Sequence, residues 1–159
     1  MPKLLLCAAL SFLASQLSAQ ADQPKPLNFT YAAIDGTTVD LAAMRGKVVI
    51  IFFWATWSKP SRDDVPILVR AYKKYRDQGF AVLGVSLDSD QTTMQTYTDE
   101  YNMPWPEYFD GRGDRNQVAQ TMNVKEIPSV WLIGKDGCVI SVNANGDLDT
   151  QIEKALKAR

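Results

Sequence analysis

The 159-residue sequence contains no histidine and only two cysteines, Cys7 and Cys138. Histidine is the commonest general base and the commonest metal ligand in proteins. Its absence excludes a Ser-His-Asp triad, a Cys-His dyad and a histidine-ligated zinc within this chain. An excess of one charge is also missing, because 17 basic residues stand against 18 acidic ones, and nothing electrostatic points to nucleic acid. What remains is an ordinary composition for one globular domain.

The first 21 residues have the pattern of a cleavable signal peptide. A positive start at Lys3 precedes an apolar run, Leu4 to Leu13, that is shorter than the ~20 residues of a membrane span. The segment ends in Ala19-Gln20-Ala21, a small-x-small cleavage pattern. We predict cleavage after Ala21, a periplasmic or secreted location and no membrane span; the alternative is a short apolar helix packed on the domain. Cleavage would remove Cys7, and we therefore expect no internal disulfide in the exported protein.

The order of the predicted elements indicates a single α/β domain over residues 27–159, preceded by a polar, proline-containing linker at 22–26. A β-hairpin is predicted between Leu27 and Asp40. The uninterrupted apolar run Val48–Trp54 is typical of a central strand buried on both faces, and a long amphipathic helix follows it. Helices and strands then alternate, which predicts a mixed sheet flanked by helices. The later predicted elements are strands at 80–87, 130–133 and 138–142 and helices at 90–102, 116–122 and 150–156.

The segment "WATWSKPS" (residues 54–61) lies where the central strand ends and the long helix begins, which is where α/β sheets place their sites. Ser58 is a favourable N-cap residue, and Pro60 is tolerated in the first helical turn. Ser61 and Asp64 match an S-x-x-D capping pattern. Trp57 is expected to be exposed beside this junction.

This segment, together with "GFAVLGVSLDSD", "MPWPEYFDGRGD" and "VKEIPSVWLIGKDG", resembles the thioredoxin superfamily. Within it the sequence is similar to exported thiol-disulfide oxidoreductases of the TlpA/ResA type, near the redoxin/AhpC-TSA group. The similarity covers about Leu27 to Leu156. It implies a thioredoxin-like fold, a cis-proline at Ile127-Pro128 opposite the active helix, and action on protein disulfides.

One departure from the family changes the functional expectation. The family pattern is W-C-x-x-C, whereas this chain has Trp57-Ser58-Lys59-Pro60-Ser61. Family chemistry needs a low-pKa thiolate and a second thiol that resolves the mixed disulfide, and a serine hydroxyl supplies neither. A helix dipole is worth ~0.3–2 kcal/mol and each pKa unit needs ~1.4 kcal/mol, so the dipole does not close this gap. Serine hydrolysis is disfavoured because no histidine acts as base.

We therefore expect an exported thioredoxin-fold protein that binds an extended peptide or protein partner without dithiol redox activity. Ser58 and Ser61 occupy the positions of the catalytic cysteines. The candidate substrate-binding residues are Trp57, Lys59, Pro60, Ile127 and Pro128. All of them except Lys59 are expected to form an apolar groove beside the cis-proline.

Two alternatives remain open. One is an active protein disulfide reductase whose two cysteines were mutated in this version of the chain. The other is residual redox or thiol-peroxidase chemistry through Cys138 or a partner's thiol. Cys138 is expected to be a partly exposed strand residue, which could also link two chains. No cofactor and no metal site are predicted, because the aspartates near residues 88–114 do not have the spacing of a calcium loop.

Overall fold

The computed structural model describes residues 25–158 of the chain. The predicted signal peptide at 1–21 lies outside these residues, as does most of the predicted linker at 22–26. Both therefore stay predictions, as does the domain boundary that depends on them. Within residues 25–158, no helix has the length and apolar character needed to cross a membrane.

The described part of the chain contains seven strands and four α-helices. Five strands form a mixed sheet in the order β5-β4-β3-β6-β7, and β1 and β2 form a separate antiparallel hairpin. The strands are β1 (Thr30–Ala32), β2 (Thr38–Asp40), β3 (Val48–Trp54), β4 (Phe80–Ser86), β5 (Glu107–Tyr108), β6 (Ser129–Ile133) and β7 (Val139–Ser141). The helices are α1 (Lys59–Tyr75), α2 (Gln91–Glu100), α3 (Gln117–Thr121) and α4 (Leu148–Lys157).

The central strand β3 is buried along its whole length because its two faces meet two different hydrophobic cores. The residues around Phe52 pack with side chains of α1, α2 and α4 on one face of the sheet. The residues around Phe53 pack with the hairpin and α3 on the other face. An apolar run without alternation is what such a position requires. The predicted α/β class, with a mixed sheet flanked by helices and an N-terminal hairpin, is confirmed.

The register of the sheet brings three segments together at one edge. Strand β3 runs parallel to β4 and antiparallel to β6, with Phe53 opposite Ser129. The ends of β3 and β4 and the start of β6 therefore lie at the same end of the sheet. The turn into α1, the residues after Ser86 and the Ile127-Pro128 dipeptide are thus neighbours in the fold.

The short edge strand β5 was not expected from the sequence. Pro104 and Pro106 flank Trp105 and indicate a break, and two residues of strand are too few to produce a periodic pattern. In the structure, Glu107 and Tyr108 pair in parallel with Gly84 and Val85 of β4. This pairing carries the Glu107 side chain into the core of the domain, where only 3% of the residue's surface is exposed.

Candidate functional site

Ser58 caps the N-terminus of α1, as the sequence predicts. Its side-chain oxygen accepts a hydrogen bond from the backbone N–H of Ser61 at 3.3 Å. Its own backbone N–H donates to the carbonyl of Ala55 at 3.2 Å, and its carbonyl accepts from the N–H of Arg62 at 3.1 Å. The residue is buried, with 7% of its surface exposed. The hydroxyl therefore has a structural role that a helix start ordinarily needs.

The predicted S-x-x-D capping pattern at Ser61 and Asp64 is wrong. The helix begins at Lys59, so Ser61 lies inside it, fully buried. Among the described residues, neither the Ser61 hydroxyl nor Oδ2 of Asp64 has a hydrogen-bond partner. Burial, and secondarily the charge of Asp63, raises the pKa of Asp64.

The loop between β3 and α1 is held from two sides. Asp88, which is buried just after β4, accepts hydrogen bonds from the backbone N–H of Thr56 at 3.1 Å and from its hydroxyl at 2.6 Å. It also accepts from the hydroxyl of Ser86 at 2.8 Å. From the helix side, the guanidinium of Arg62 donates to the carbonyl of Thr56 at 2.6 Å. The sequence pattern placed Asp88 only among aspartates that lack the spacing of a calcium loop, and it did not predict this role.

The candidate binding residues at the start of α1 face solvent. Trp57 has 64% of its surface exposed, which confirms the expectation for this side chain and is unusual for so large an aromatic residue. Pro60 is exposed as well. The ammonium of Lys59 is paired with Asp63 one helical turn away, at 2.7 Å. An apolar surface and a paired cation thus project from the junction.

The Ile127-Pro128 peptide bond is cis, and both residues are half-buried. Because Ser129 pairs with Phe53, this dipeptide lies at the sheet end that leads into α1. A cavity of about 450 Å³ lies beside Pro128, with Val124, Trp131 and Val142 among its lining residues. Trp57 and Pro60 do not line it. The predicted groove residues are therefore brought to one edge of the sheet without sharing this cavity.

A buried carboxyl group lies behind the junction, and sequence reasoning did not identify it. Glu107 accepts hydrogen bonds from the indole N–H of Trp54 at 3.0 Å and from that of Trp105 at 2.8 Å. Desolvation raises the pKa of Glu107 to about 8, and the two indole donors oppose the rise. The available signal was the pair of core tryptophans, since a buried indole N–H needs an acceptor.

Cys138 is buried, with 8% exposed, and it precedes β7. The expectation of a partly exposed strand residue is therefore wrong: the turn after Asp136 folds the thiol inward, and the backbone N–H of Cys138 donates to Asp136 at 2.9 Å. Desolvation, and then Asp136, raises the pKa of the thiol. A raised pKa lowers the thiolate fraction. Linkage of two chains through Cys138 stays a prediction.

The five-stranded mixed sheet, its flanking helices and the strand-to-helix junction opposite a cis-proline define a thioredoxin-like protein. Residues 22–142 match the AhpC/TSA family, and the chain belongs to that family. Within the thioredoxin superfamily it is of the TlpA/ResA type.

Relatives with curated functions agree with this assignment. The thiol-disulfide oxidoreductase ResA of Bacillus thuringiensis subsp. konkukian is 27% identical, over 97% of this chain and 90% of its own length. ResA of Bacillus subtilis is 28% identical, over 79% of this chain and 67% of its own length.

Solved structures place the chain in the same fold. A thioredoxin-like protein of Bacteroides vulgatus superposes with a TM-score of 0.72 at 30% identity, covering 86% of this chain and 91% of that one. A thiol-disulfide oxidoreductase of Bacteroides fragilis superposes with a TM-score of 0.72 over 83% of this chain and 98% of that one. At 24% identity, this second comparison supports the fold alone.

Proposed function

We propose that this chain is an exported member of the thiol-disulfide oxidoreductase group that binds an extended peptide or protein segment and transfers no electrons. The observation that carries the proposal is the hydrogen bonding and burial of Ser58 and Ser61. The oxygen of Ser58 caps α1, and the hydroxyl of Ser61 is buried without a hydrogen-bond partner among the described residues. The motif resemblance puts these two residues where the family has its cysteines.

The chemistry of serine supports the absence of dithiol transfer. A thiolate attacks a disulfide sulfur, and a second thiol then releases the mixed disulfide. A hydroxyl is far less acidic than a thiol and forms no reversible bond to sulfur. The remaining thiol, Cys138, is buried and has a raised pKa, so its thiolate fraction at neutral pH is small.

Binding is supported by what the junction retains. Trp57 presents a large apolar surface to solvent, next to a loop that Asp88 and Arg62 hold in one conformation. A loop that is already held by hydrogen bonds loses less conformational entropy when a partner covers it. Backbone groups near Ile127-Pro128 lie at the same edge of the sheet, where an extended segment could pair with them.

The redox part is tested with an assay for reduction of a protein disulfide by the purified chain. We expect no turnover from the unaltered chain or from Cys138→Ser. The double variant Ser58→Cys/Ser61→Cys is expected to gain activity, because the scaffold around both positions is intact. Turnover by the unaltered chain that persists in Cys138→Ser would overturn the proposal. Turnover lost in Cys138→Ser would instead support chemistry at that thiol.

The binding part is tested on an array of unstructured ten-residue peptides, with fluorescence anisotropy for the peptides that bind. Trp57→Ala is expected to weaken binding at least tenfold, which corresponds to about 1.4 kcal/mol. Ile67→Ala is the matched control, because Ile67 is also an exposed apolar residue of the α1 region, with 40% of its surface accessible. Equal effects of the two variants would contradict binding at the junction.

Export is tested by isolating the protein from its natural host and sequencing its N-terminus. The signal-peptide pattern predicts that the mature chain begins at Asp22 and is found outside the cytoplasm. A protein that keeps Met1 to Ala21 would contradict cleavage.

A further inference from the structure

The buried carboxyl of Glu107 occupies a place that the fold keeps open for it. The residue has 3% of its surface exposed and lies between the indoles of Trp54 and Trp105, which donate to its two different oxygens. A Cβ atom on Gly84, the residue paired with Glu107 in β4, would overlap all three atoms of the carboxyl group. The absence of a side chain at Gly84 therefore leaves the space that the Glu107 carboxyl occupies.

Within residues 25–158, no cation pairs with this carboxyl. The ion pairs of this part of the chain lie at the surface, and none of them includes Glu107. The charge of Asp88, which follows β4, adds to the desolvation that raises the pKa of Glu107. Burial, and then the charge of Glu107, raises the pKa of Tyr31 in β1, so this phenol is neutral. Each of them is acidic or neutral, so the surroundings favour the protonated acid.

A cavity borders the residue that carries this carboxyl. Glu107 and Trp105 line an open cavity of about 470 Å³ at the β5 edge of the sheet. Asp35 and Asp99 also line it, and they too bring negative charge to the neighbourhood. An ionised carboxylate that is buried without a cation has a higher free energy than the same carboxylate in water. An ionised Glu107 is therefore favoured to move toward this cavity, which would lengthen or break its indole hydrogen bonds.

We propose that Trp54, Trp105 and Glu107 form a proton-sensitive lock, which holds β5 and the preceding 103–106 segment against the end of β3 while the carboxyl is protonated and releases them when it ionises. The lock reaches the junction, because Trp54 is the last residue of β3 and Ser58 follows four positions later. The proposal does not depend on peptide binding, since it concerns the protein alone.

The test follows the two indole N–H resonances of Trp54 and Trp105 by nuclear magnetic resonance between pH 5 and pH 10. We expect both to move together with a midpoint near the Glu107 pKa of about 8, and amide exchange at Glu107 and Tyr108 to accelerate above it. Glu107→Gln is expected to remove the transition, because a neutral amide occupies the same space. Asp99→Asn, at the cavity wall, is the matched control and is expected to keep the transition.

Three results would overturn the lock. One is a midpoint below pH 6 for the two indoles; another is persistence of the same transition in Glu107→Gln; the third is loss of the transition in Asp99→Asn alone. If Glu107→Gln does not fold, the carboxyl ¹³C shift of Glu107 in the unaltered chain decides. A midpoint between pH 7 and pH 9 supports the lock, and one outside that range contradicts it.

Discussion

At the scale of single residues, Ser58 and Ser61 differ sharply in their surroundings, although the motif resemblance predicts that both stand where the family has a cysteine. The side-chain oxygen of Ser58 accepts a hydrogen bond from one of the N–H groups that every helix start leaves without an intrahelical partner. The hydroxyl of Ser61 is buried, and among the described residues it has no hydrogen-bond partner. A serine therefore stabilises the structure at one of these positions and not at the other.

This difference predicts opposite outcomes for two alanine variants. Ser58→Ala is expected to lower the free energy of unfolding by about 1 kcal/mol, because the cap is lost. Ser61→Ala is expected to be neutral or stabilising, because it removes a buried polar group that lacks a partner. Urea denaturation measures both. A cost at Ser61 equal to that at Ser58 would contradict the assignment, and Ser58→Asn, which restores a cap, should recover most of the loss.

Gly84 also matters as a single residue, because it leaves room for the Glu107 carboxyl. Gly84→Ala is expected to destabilise the protein by about 1–3 kcal/mol through overpacking. Gly146→Ala is the control, since a Cβ there meets nothing within 4 Å. In the double variant Gly84→Ala/Glu107→Ala the cost of the alanine at position 84 should shrink. Chemical denaturation of the unaltered chain, the two single variants and the double variant gives this coupling free energy, and a value of zero would refute the steric explanation.

At the scale of elements, the junction between β3 and α1 is stabilised by a contact from another strand. Asp88 follows β4, and its carboxylate takes hydrogen bonds from both the backbone and the hydroxyl of Thr56. Since β4 runs parallel to β3, the two strands end side by side and bring these residues together. The loop conformation thus depends on sheet register as much as on its own sequence.

Removal of this contact should loosen the loop selectively. Asp88→Ala leaves the donors of Thr56 and Ser86 without their acceptor, which is expected to cost about 1–3 kcal/mol. Hydrogen exchange at the Thr56 amide should accelerate more than exchange in the middle of β3. Asp114→Ala, at an exposed position, is the control and should leave the Thr56 amide unchanged. Uniform acceleration along β3 would indicate global destabilisation instead.

At the scale of the whole molecule, titratable groups of two kinds act on stability in opposite directions. The helix caps Asp90 and Asp147 have lowered pKa values, because their carboxylates accept hydrogen bonds from Thr93 and Thr150. Their contribution is present above the ordinary aspartate pKa and disappears as the pH falls through the lowered one. Glu107 has a raised pKa, so its contribution has the opposite dependence.

The direction of the Glu107 pKa shift predicts how the stability of the whole protein depends on pH. Its pKa rises from 4.5 to about 8 on folding, so the folded protein binds this proton more tightly than the unfolded chain. The stabilisation is complete below pH 4.5 and is lost as the pH rises to about 8. The free energy of unfolding of the unaltered chain minus that of Glu107→Gln should fall by up to about 1.4 kcal/mol per pH unit in this window and flatten above it.

Denaturation at a series of pH values measures this difference, and the contributions of the exposed carboxylates cancel between the two proteins. A difference that stays constant between pH 5 and pH 8 would contradict protonation of Glu107 in the folded state. A difference that rises with pH would mean that folding lowers the pKa of Glu107 instead of raising it.

The elements that sequence alone determined are those whose signal is local. The run Val48–Trp54 indicated a strand buried on both faces, and the serine before a proline-containing helical segment indicated the cap at Ser58. The lack of histidine excluded histidine-dependent chemistry through composition alone, and the motif resemblance predicted serines where the family has cysteines. Each of the structural inferences depends on neighbours within a few residues, where side-chain period and capping preference act directly.

Contacts between distant residues were decided only by the tertiary structure. Asp88 is 32 positions from Thr56, and Glu107 is 53 positions from Trp54, so no local pattern joins them. The burial of Cys138 likewise follows from how one turn packs against the rest of the domain. Sheet register and burial set these contacts, because a carboxyl's partners and its pKa depend on which strands lie beside it. The sequence identified the junction, whereas the fold determined what supports it.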